Sequence, residues 1–368
     1  MMARPDIAVV IPLYNAERWI AETLESVFAQ TLPPSEVVVV DDGSTDEGAA
    51  IVTSCFPDAR ILRHPGKGAN AARRYGQEHT SAPLVTFLDQ DDVWHPDHLR
   101  LLVALLDEHP NAPAVIGQTL DFLDGAPLSF ETPRLAGLFL DPWERFPATC
   151  TPTPSGVLMR RAALDAMGGW PTAYLGVADF YTWLRLSVEQ PLVFNACTTV
   201  FKRAHPTSHS RQLVADRVAR YVRDKRRAAL DVLDVREAVY PEDNTDIDSL
   251  RALTIALEDI VRALVAEDET KLRDAALRLD DALANASDKR AVQTLGMIAW
   301  YVRPLFESRG EHQWEWMLRS WPSSANRTHR LRQTRISVRA QLRRALRQPW
   351  RLPPWQTTFD LALKRLRR

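Results

Sequence analysis

Three carboxylates crowd four positions at Asp89-Gln90-Asp91-Asp92, directly after the apolar run Leu84-Val85-Thr86-Phe87-Leu88. Ser81-Ala82-Pro83 punctuates the chain ahead of that run, which reads as a buried parallel strand. The acids therefore fall at a strand's C-terminal end, where open α/β sheets bind ligands. Like charges this close shift one another's pKa, so the cluster is costly unless a cation or hydrogen-bond donors neutralise it. Asp91 or Asp92 is also placed to cap the helix expected after His95-Pro96, and one of the two, Asp92 by preference, is expected to do so. Taken whole, the cluster reads as a divalent-metal site.

A second acidic turn, Asp41-Asp42-Gly43-Ser44-Thr45-Asp46, follows four consecutive valines, Val37 to Val40. Such a run suits a strand covered on both faces. Carboxylates at its end can accept hydrogen bonds from a base N–H or a ribose hydroxyl. Asp42-Gly43 can equally turn the chain, with Ser44 or Asp46 capping the next helix. Both readings are kept, with Asp41 functional and the others structural. Neither turn is an EF-hand: Val52 or Thr53 stands where the bidentate Glu belongs, and Trp94 replaces the loop glycine after Asp89.

What the loops lack excludes other chemistries. Pro12-Leu13-Tyr14-Asn15-Ala16 follows the first strand without the Gly-x-Gly-x-x-Gly turn of a dinucleotide-binding enzyme. No Gly-x-x-x-x-Gly-Lys-Ser/Thr occurs, so a P-loop NTPase is out. Cys55, Cys150 and Cys197 form no Cys-x-x-Cys pair and read as reduced cytoplasmic thiols. His95 and His98 resemble a ligand pair in spacing alone, with Pro96 between them and no third ligand.

These loops need a scaffold that brings strand ends together. Short apolar strands at 7–11, 37–40, 59–62 and 84–88 alternate with helical patterns at 17–30, 49–55 and 69–79. That order predicts an α/β fold, a mostly parallel sheet with helices on both faces. A helix at 98–108 and a strand at 114–122 follow. Residues 211–320 are rich in Ala, Leu, Arg, Asp and Glu with helical periodicity, and carry no repeat of fixed period. The expected organisation is an α/β domain over 1–210, a helical region over 211–326 and a basic amphipathic helical tail over 327–368.

At 368 residues, 45% hydrophobic and 25% charged, the composition is that of a globular protein. The net charge of −1 hides an asymmetry. From Arg327 onward there are thirteen Lys or Arg against one acid, Asp360, so the tail is about +12 and the rest about −13. Such an arm predicts an anionic partner, or docking on the chain's own acidic body. Ile336, Leu342 and Trp350 interleaved with Arg335, Arg339 and Arg343 suit an anionic membrane interface. No nucleic-acid motif accompanies the tail, and no nucleic-acid partner is expected. No apolar run reaches the ~18 residues of a transmembrane helix, and the N-terminus leads into a strand without a signal-peptide core.

Three motifs in order carry a resemblance. Val9-Val10-Ile11-Pro12-Leu13-Tyr14-Asn15, Val40-Asp41-Asp42-Gly43-Ser44-Thr45-Asp46 and Leu88-Asp89-Gln90-Asp91-Asp92 resemble those of the family 2 glycosyltransferases of GT-A fold. These are inverting enzymes that use nucleotide-activated sugars. The resemblance covers roughly residues 5 to 210. It implies that Pro12, Tyr14 and Asn15 line the nucleotide pocket and that Asp41 reads the uracil or equivalent base. Asp89 and Asp91 match the family's Asp-x-Asp. Asp91 is the implied metal ligand, and Asp89 the contact to ribose or to metal-bound water. Mg2+ or Mn2+ is the implied cofactor: hard oxygen ligands suit it, and its charge offsets that of a departing diphosphate.

Two further segments extend the resemblance. Gly66-Lys67-Gly68-Ala69-Asn70-Ala71-Ala72-Arg73-Arg74 is similar to a Gly-x-x-x-Ala-Arg-Asn stretch whose Arg meets the diphosphate. Arg73 takes that place, and Arg74 stands where Asn is usual. Gly168-Gly169-Trp170 with Ala178-Asp179-Phe180-Tyr181-Thr182-Trp183-Leu184-Arg185 is similar to Gly-Gly-Phe … Glu-Asp-x-x-x-Trp-x-Arg. Asp179 falls on the catalytic base and Ala178 replaces the Glu. Without the resemblance, Asp179 reads as an N-cap of the helix carrying Trp183 and Leu184. His205 or His209 is a candidate third metal ligand or diphosphate contact, in a segment where relatives place a loop over the donor.

The expected activity is metal-dependent, inverting transfer of a sugar from a nucleotide-sugar donor to a saccharide or lipid-linked acceptor, in cell-surface polysaccharide or glycolipid synthesis. The expected location is cytoplasmic, peripheral on the inner face of the plasma membrane through 327–368. A sugar nucleotidyltransferase is the first alternative, disfavoured by the missing Gly-rich N-terminal loop. A non-catalytic nucleotide-sugar-binding or scaffold protein is the second, favoured by Ala178 and Arg74.

Overall fold

The computed structural model describes residues 5–123, 126–130, 137–139, 152–205, 215–284, 330–331 and 334–335. The elements up to residue 108 are β1 (Ile7–Leu13), α1 (Ile20–Phe28), β2 (Glu36–Asp41), α2 (Gly48–Cys55), β3 (Arg60–Arg63), α3 (Ala69–Glu78), β4 (Leu84–Phe87), β5 (Val93–Trp94) and α4 (His98–Glu108). Then come β6 (Ala114–Leu123), β7 (Ala126–Phe130), β8 (Gly137–Phe139), β9 (Val157–Arg160), α5 (Arg161–Ala166), α6 (Ala178–Leu186) and β10 (Leu192–Arg203). The α/β alternation read from periodicity is the one observed.

Alternation within the strands explains why two faces are covered. Ile7, Val9, Ile11, Val37 and Val39 join one buried cluster, and Ala8, Val10, Val38 and Val40 the other. Side chains leave a strand on opposite faces in turn, so an unbroken apolar run must feed two cores. β1 pairs in parallel with β2 and β4, and β2 with β3. β9 is antiparallel to both β4 and β6, and β10 runs parallel to β6. The sheet order is β3-β2-β1-β4-β9-β6-β10-β5, with β7 beside β6 and β8 beside β10. The sheet is thus mixed and mostly parallel.

Helix α3 lies close on β1 and β2 because Gly76 has no side chain. A Cβ there would stand 2.3 Å from Val10 Cγ1 and 3.0 Å from Val40 Cγ2. Helix α1 is shorter than its periodicity suggests. Glu17 is tied to the second acidic turn, its N–H donating to Asp46 Oδ2 at 2.8 Å while its own carboxylate accepts the Glu47 N–H at 3.0 Å. The helix therefore starts at Ile20.

Asp92 does not cap the next helix, contrary to expectation, and neither does Asp91. Helix α4 begins after Asp97, whose carboxylate accepts from Thr31 and Arg100. Asp92 is drawn inward instead, as described below.

The chain divides into two compact units, with the α/β elements through His205 in the first. The described part of the second holds α7 (Ala215–Val239), α8 (Asn244–Val265) and α9 (Glu269–Ala284), which bears out helix in the region past 210. Its core is aliphatic, with Val232, Leu253, Ile260 and Leu279 buried. Glu258, also buried, pairs with Arg226 of α7 at 2.7 Å. In the tail, Arg330–Leu331 and Thr334–Arg335 form a two-stranded antiparallel ladder, β11 and β12, so these four residues are extended where a helix was expected. The rest of 327–368 lies outside the described residues.

Candidate active site

The register of the parallel strands brings the loops together. Leu13 lies beside Asp41, and Val10 beside Phe87, so the turns after β1, β2 and β4 emerge at one edge. That is the carboxyl edge at which sheets of this kind bind ligands. Pro12 is buried within β1 opposite Val40, and Tyr14 is 56% exposed just beyond the strand. Asn15 adopts a left-handed conformation with φ of 49°. Its Oδ1 accepts the Thr45 N–H at 2.8 Å, which stitches the first loop to the second.

Asp41 and Asp42 divide the work at the end of β2. Asp41 Oδ1 accepts the Ser44 N–H at 2.9 Å, a local turn bond that leaves Oδ2 for other partners. Asp42 is a hub: it accepts the Gly68 N–H at 2.7 Å, the Lys67 N–H at 3.1 Å and a bond from His64 Nδ1 at 2.5 Å. It thereby holds the Gly66-Lys67-Gly68 turn that leads into α3. Neither Ser44 nor Asp46 is the N-cap of α2, which is Glu47; Asp46, one residue ahead of it, accepts the Gly48 N–H on Oδ1 at 3.0 Å.

The three acids after β4 separate by depth. Asp92 is 1% exposed. Its Oδ2 accepts from Ser155 Oγ at 2.6 Å and its Oδ1 from the Arg203 N–H at 3.1 Å. Burial, then the charges of Asp91 and Asp89, push its pKa well above the usual carboxylate range. Asp91 is half-buried, and its Oδ2 meets His205 Nε2 at 2.7 Å. Burial and the Asp89 charge raise its pKa too, against the opposing pull of His205. Asp89 pairs with the Arg73 guanidinium. Three distant side chains brace this loop: Thr23 Oγ1 bonds the carbonyls of Gln90 and Asp92, Ser155 Oγ accepts the Asp89 N–H, and Arg203 Nε donates to the Asp91 carbonyl.

Arg73 and Arg74 point to different surroundings. Arg73 is buried, bonds Asn70 Oδ1 at 3.2 Å as well as Asp89, and lies 5.4 Å from the Trp170 ring centroid. Arg74 pairs with Glu78 at 2.5 Å and donates to the Gly168 carbonyl. Gly169 leaves room for it, since a Cβ there would sit 2.4 Å from Arg74 Nη1. Trp170 is a platform: its Nε1–H donates to Asn70 Oδ1 at 3.1 Å, and its ring meets Phe87 and Trp183 edge-on.

Asp179 lies in the first turn of α6, not at its N-cap, which is Val177. Its Oδ1 accepts the Phe180 N–H at 2.8 Å. Burial raises its pKa, while the charges of Arg73 and Lys202 hold it down and that of Asp89 adds to the rise. Side chains from α3, the loop after β4 and β10, with the Phe180 main-chain N–H, therefore act on one carboxyl group of α6.

The donor set suits a hard divalent cation in chemistry. Asp91 carries a carboxylate whose ionised form is disfavoured by burial and by its neighbour, which a cation would reverse. His205 touches it and packs its ring, tilted by 31°, against Trp19 with centroids 4.2 Å apart. Among the described residues no three His, Cys, Asp or Glu side chains form a complete cage. His209 lies outside the described residues. His98, read as no ligand, is fully buried and stacked on Trp94 at 4.4 Å.

Gln90, Ser155 and Arg203 have no counterpart among the expected site residues. Gln90 brackets the Tyr14 main chain, and the other two hold Asp92. Nothing local marks Ser155; Arg203 could have been suspected only as a cation two residues before His205.

A mixed, mostly parallel sheet with ligand loops at its carboxyl edge and acids after β2 and β4 defines a GT-A-type fold. Solved structures agree. TarS of S. aureus in complex with UDP-GlcNAc superposes with a TM-score of 0.56 at 18% identity, covering 86% of this chain and 89% of that one. The mannosyltransferase PcManGT of Pyrobaculum calidifontis, in complex with GDP-Man and Mn2+, gives 0.51 at 19% identity over 84% and 89%. Residues 8–168 match the glycosyl transferase family 2 model. The succinoglycan biosynthesis protein ExoW of Rhizobium meliloti is 29% identical over 223 residues, 54% of this chain and 65% of ExoW. The chain spans between 15% and 65% of the length of the curated relatives it matches. No helix among the described residues is long and apolar enough to cross a membrane.

Proposed function

We propose that this chain is an inverting glycosyltransferase that moves a sugar from a nucleotide-sugar donor to an acceptor hydroxyl. The observation that carries the reading is the shared field of Arg73, Asp89 and Asp179, three side chains from distant elements. Tyr14 and Asn15 flank the nucleotide with Pro12 behind them, and Asp41 offers an oxygen to the base N–H. Arg73 donates to the diphosphate. Asp179 accepts the acceptor's hydroxyl proton as that oxygen bonds to the anomeric carbon, while the carbon–oxygen bond to the diphosphate breaks. One displacement inverts the anomeric configuration and releases a nucleoside diphosphate.

Asp91, with Asp89 and either His205 or His209, would hold Mg2+ or Mn2+. Such an ion supplies positive charge against the diphosphate oxygens. The acceptor is a saccharide or lipid-linked saccharide, and ExoW's link to succinoglycan favours cell-surface polysaccharide synthesis. Residues 1–210 are the catalytic domain, 211–326 a helical region, and the basic 327–368 a contact to anionic lipid at the cytoplasmic face of the plasma membrane.

A panel of UDP- and GDP-sugars, incubated with the protein and Mn2+ or Mg2+, tests the activity. At least one donor should release its nucleoside diphosphate, and Asp91→Ala should abolish the release. No turnover across the panel would overturn the reading.

A further inference from the structure

Gln90 is the uncharged position of the acid cluster, and its carboxamide brackets the main chain of Tyr14. Oε1 accepts the Tyr14 N–H at 2.6 Å, and Nε2 donates to the Tyr14 carbonyl at 3.1 Å. Tyr14 lies one residue beyond the last ladder pair of β1, Leu13 with Asp41. Its peptide groups have run out of strand to pair with, and main-chain donors and acceptors require partners. A carboxamide has both an acceptor and donors, so Gln90 supplies the pattern of a missing strand residue. Glu would offer no donor at neutral pH, and Ser or Ala would not span the gap. The clamp is itself anchored, since the Gln90 carbonyl accepts from Thr23 Oγ1 at 2.9 Å on α1.

This arrangement fixes Tyr14 through its backbone while the residue stays 56% exposed just beyond β1. It also ties the Tyr14 loop to the loop that carries Asp89 and Asp91. We propose that Gln90 is a positioning residue that holds Tyr14 against the donor's nucleotide and couples that contact to the acid loop. The proposal rests on the nucleotide-sugar reading of the site and adds a residue to it.

Titration calorimetry with UDP and with GDP, on the full chain, tests it. Gln90→Met keeps the length and removes both bonds. It should weaken whichever nucleotide the wild type binds by about tenfold, in line with the loss of one or two net hydrogen bonds. Gln90→Glu retains the acceptor but sets a carboxylate against the Tyr14 carbonyl, and should bind no better than Gln90→Met. In a Tyr14→Ala background, Gln90→Met should move the dissociation constant by less than about twofold, because the two residues act through one contact. Thermal melts without ligand serve as the control: a purely structural role would lower the midpoint and leave affinity unchanged. Wild-type affinity in Gln90→Met, or full additivity in the double variant, overturns the role of Gln90 alone. Failure of the wild type to bind either nucleotide overturns the nucleotide-sugar reading, and this proposal with it.

Discussion

Ser155 Oγ donates to Asp92 Oδ2 at 2.6 Å, joining a short 3-10 turn at Pro154–Gly156 to the acid loop 63 residues earlier in the chain. The same hydroxyl accepts the Asp89 N–H at 3.1 Å, so one buried side chain sets both ends of the cluster. Asp92, the deepest of the three acids, works as a strut, while Asp89 pairs with Arg73 and Asp91 with His205.

Ser155→Ala should therefore cost more than an ordinary polar-to-Ala change. It leaves a buried carboxylate and a main-chain N–H short of a partner, a loss of about 1–3 kcal/mol. Urea unfolding gives the stability change, and the donor-release rate should fall with it because Asp89 and Asp91 lose their support.

The two adjacent arginines should separate in kinetics. Arg73→Ala removes the group beside Asp89 and over Trp170, and should lower kcat/KM for the donor by about 100- to 1,000-fold. Arg74→Ala loses a partly exposed pair with Glu78 and one carbonyl contact, and should cost about 1 kcal/mol of stability with little kinetic effect. Steady-state rates and melts on both variants decide this; equal kinetic losses would contradict the assignment.

Asp179→Asn should lower kcat by about 100- to 10,000-fold while donor affinity holds. Burial raises the Asp179 pKa in the folded chain, and only its ionised form accepts a proton. Activity should thus disappear as pH falls through a value above the ordinary carboxylate range. A pH–rate profile of the wild type measures that limb.

His98 predicts a loss of stability on acidification. Burial, aided by the His95 charge, lowers its pKa from 6.5 to about 3 in the folded protein. The unfolded chain then binds more protons between those values, so stability should fall as pH drops from 6.5 toward about 3. His98→Phe, which keeps an aromatic ring against Trp94, should flatten that slope in urea melts recorded across the range.

How much of this was legible beforehand follows from what each signal is made of. The unbroken apolar runs at Ile7 and Val37, the helical pattern before Glu78 and the acids after Leu88 are local. Local spacing suffices for strands, helices and their order, because side-chain direction repeats with the backbone. The placement of Asp41, Asp89 and Asp91 at strand ends followed from the same signal. Boundaries were less secure: α1 begins late because Glu17 is bound to Asp46 and Glu47, a contact across 30 residues that no window contains.

The sequence alone determined the alternating architecture, the helical character past residue 210 and the inventory of acids, arginines and aromatics available for chemistry. The tertiary structure alone decided which of them share a site and in what posture. It turned Asp92 inward to Ser155 and Arg203, sent Arg73 to Asp89 and Arg74 to Gly168, and closed Gln90 on Tyr14. The reason is physical: a side chain's role depends on which distant donors and acceptors the folded sheet brings within hydrogen-bond reach, and that distance is not a function of spacing along the chain.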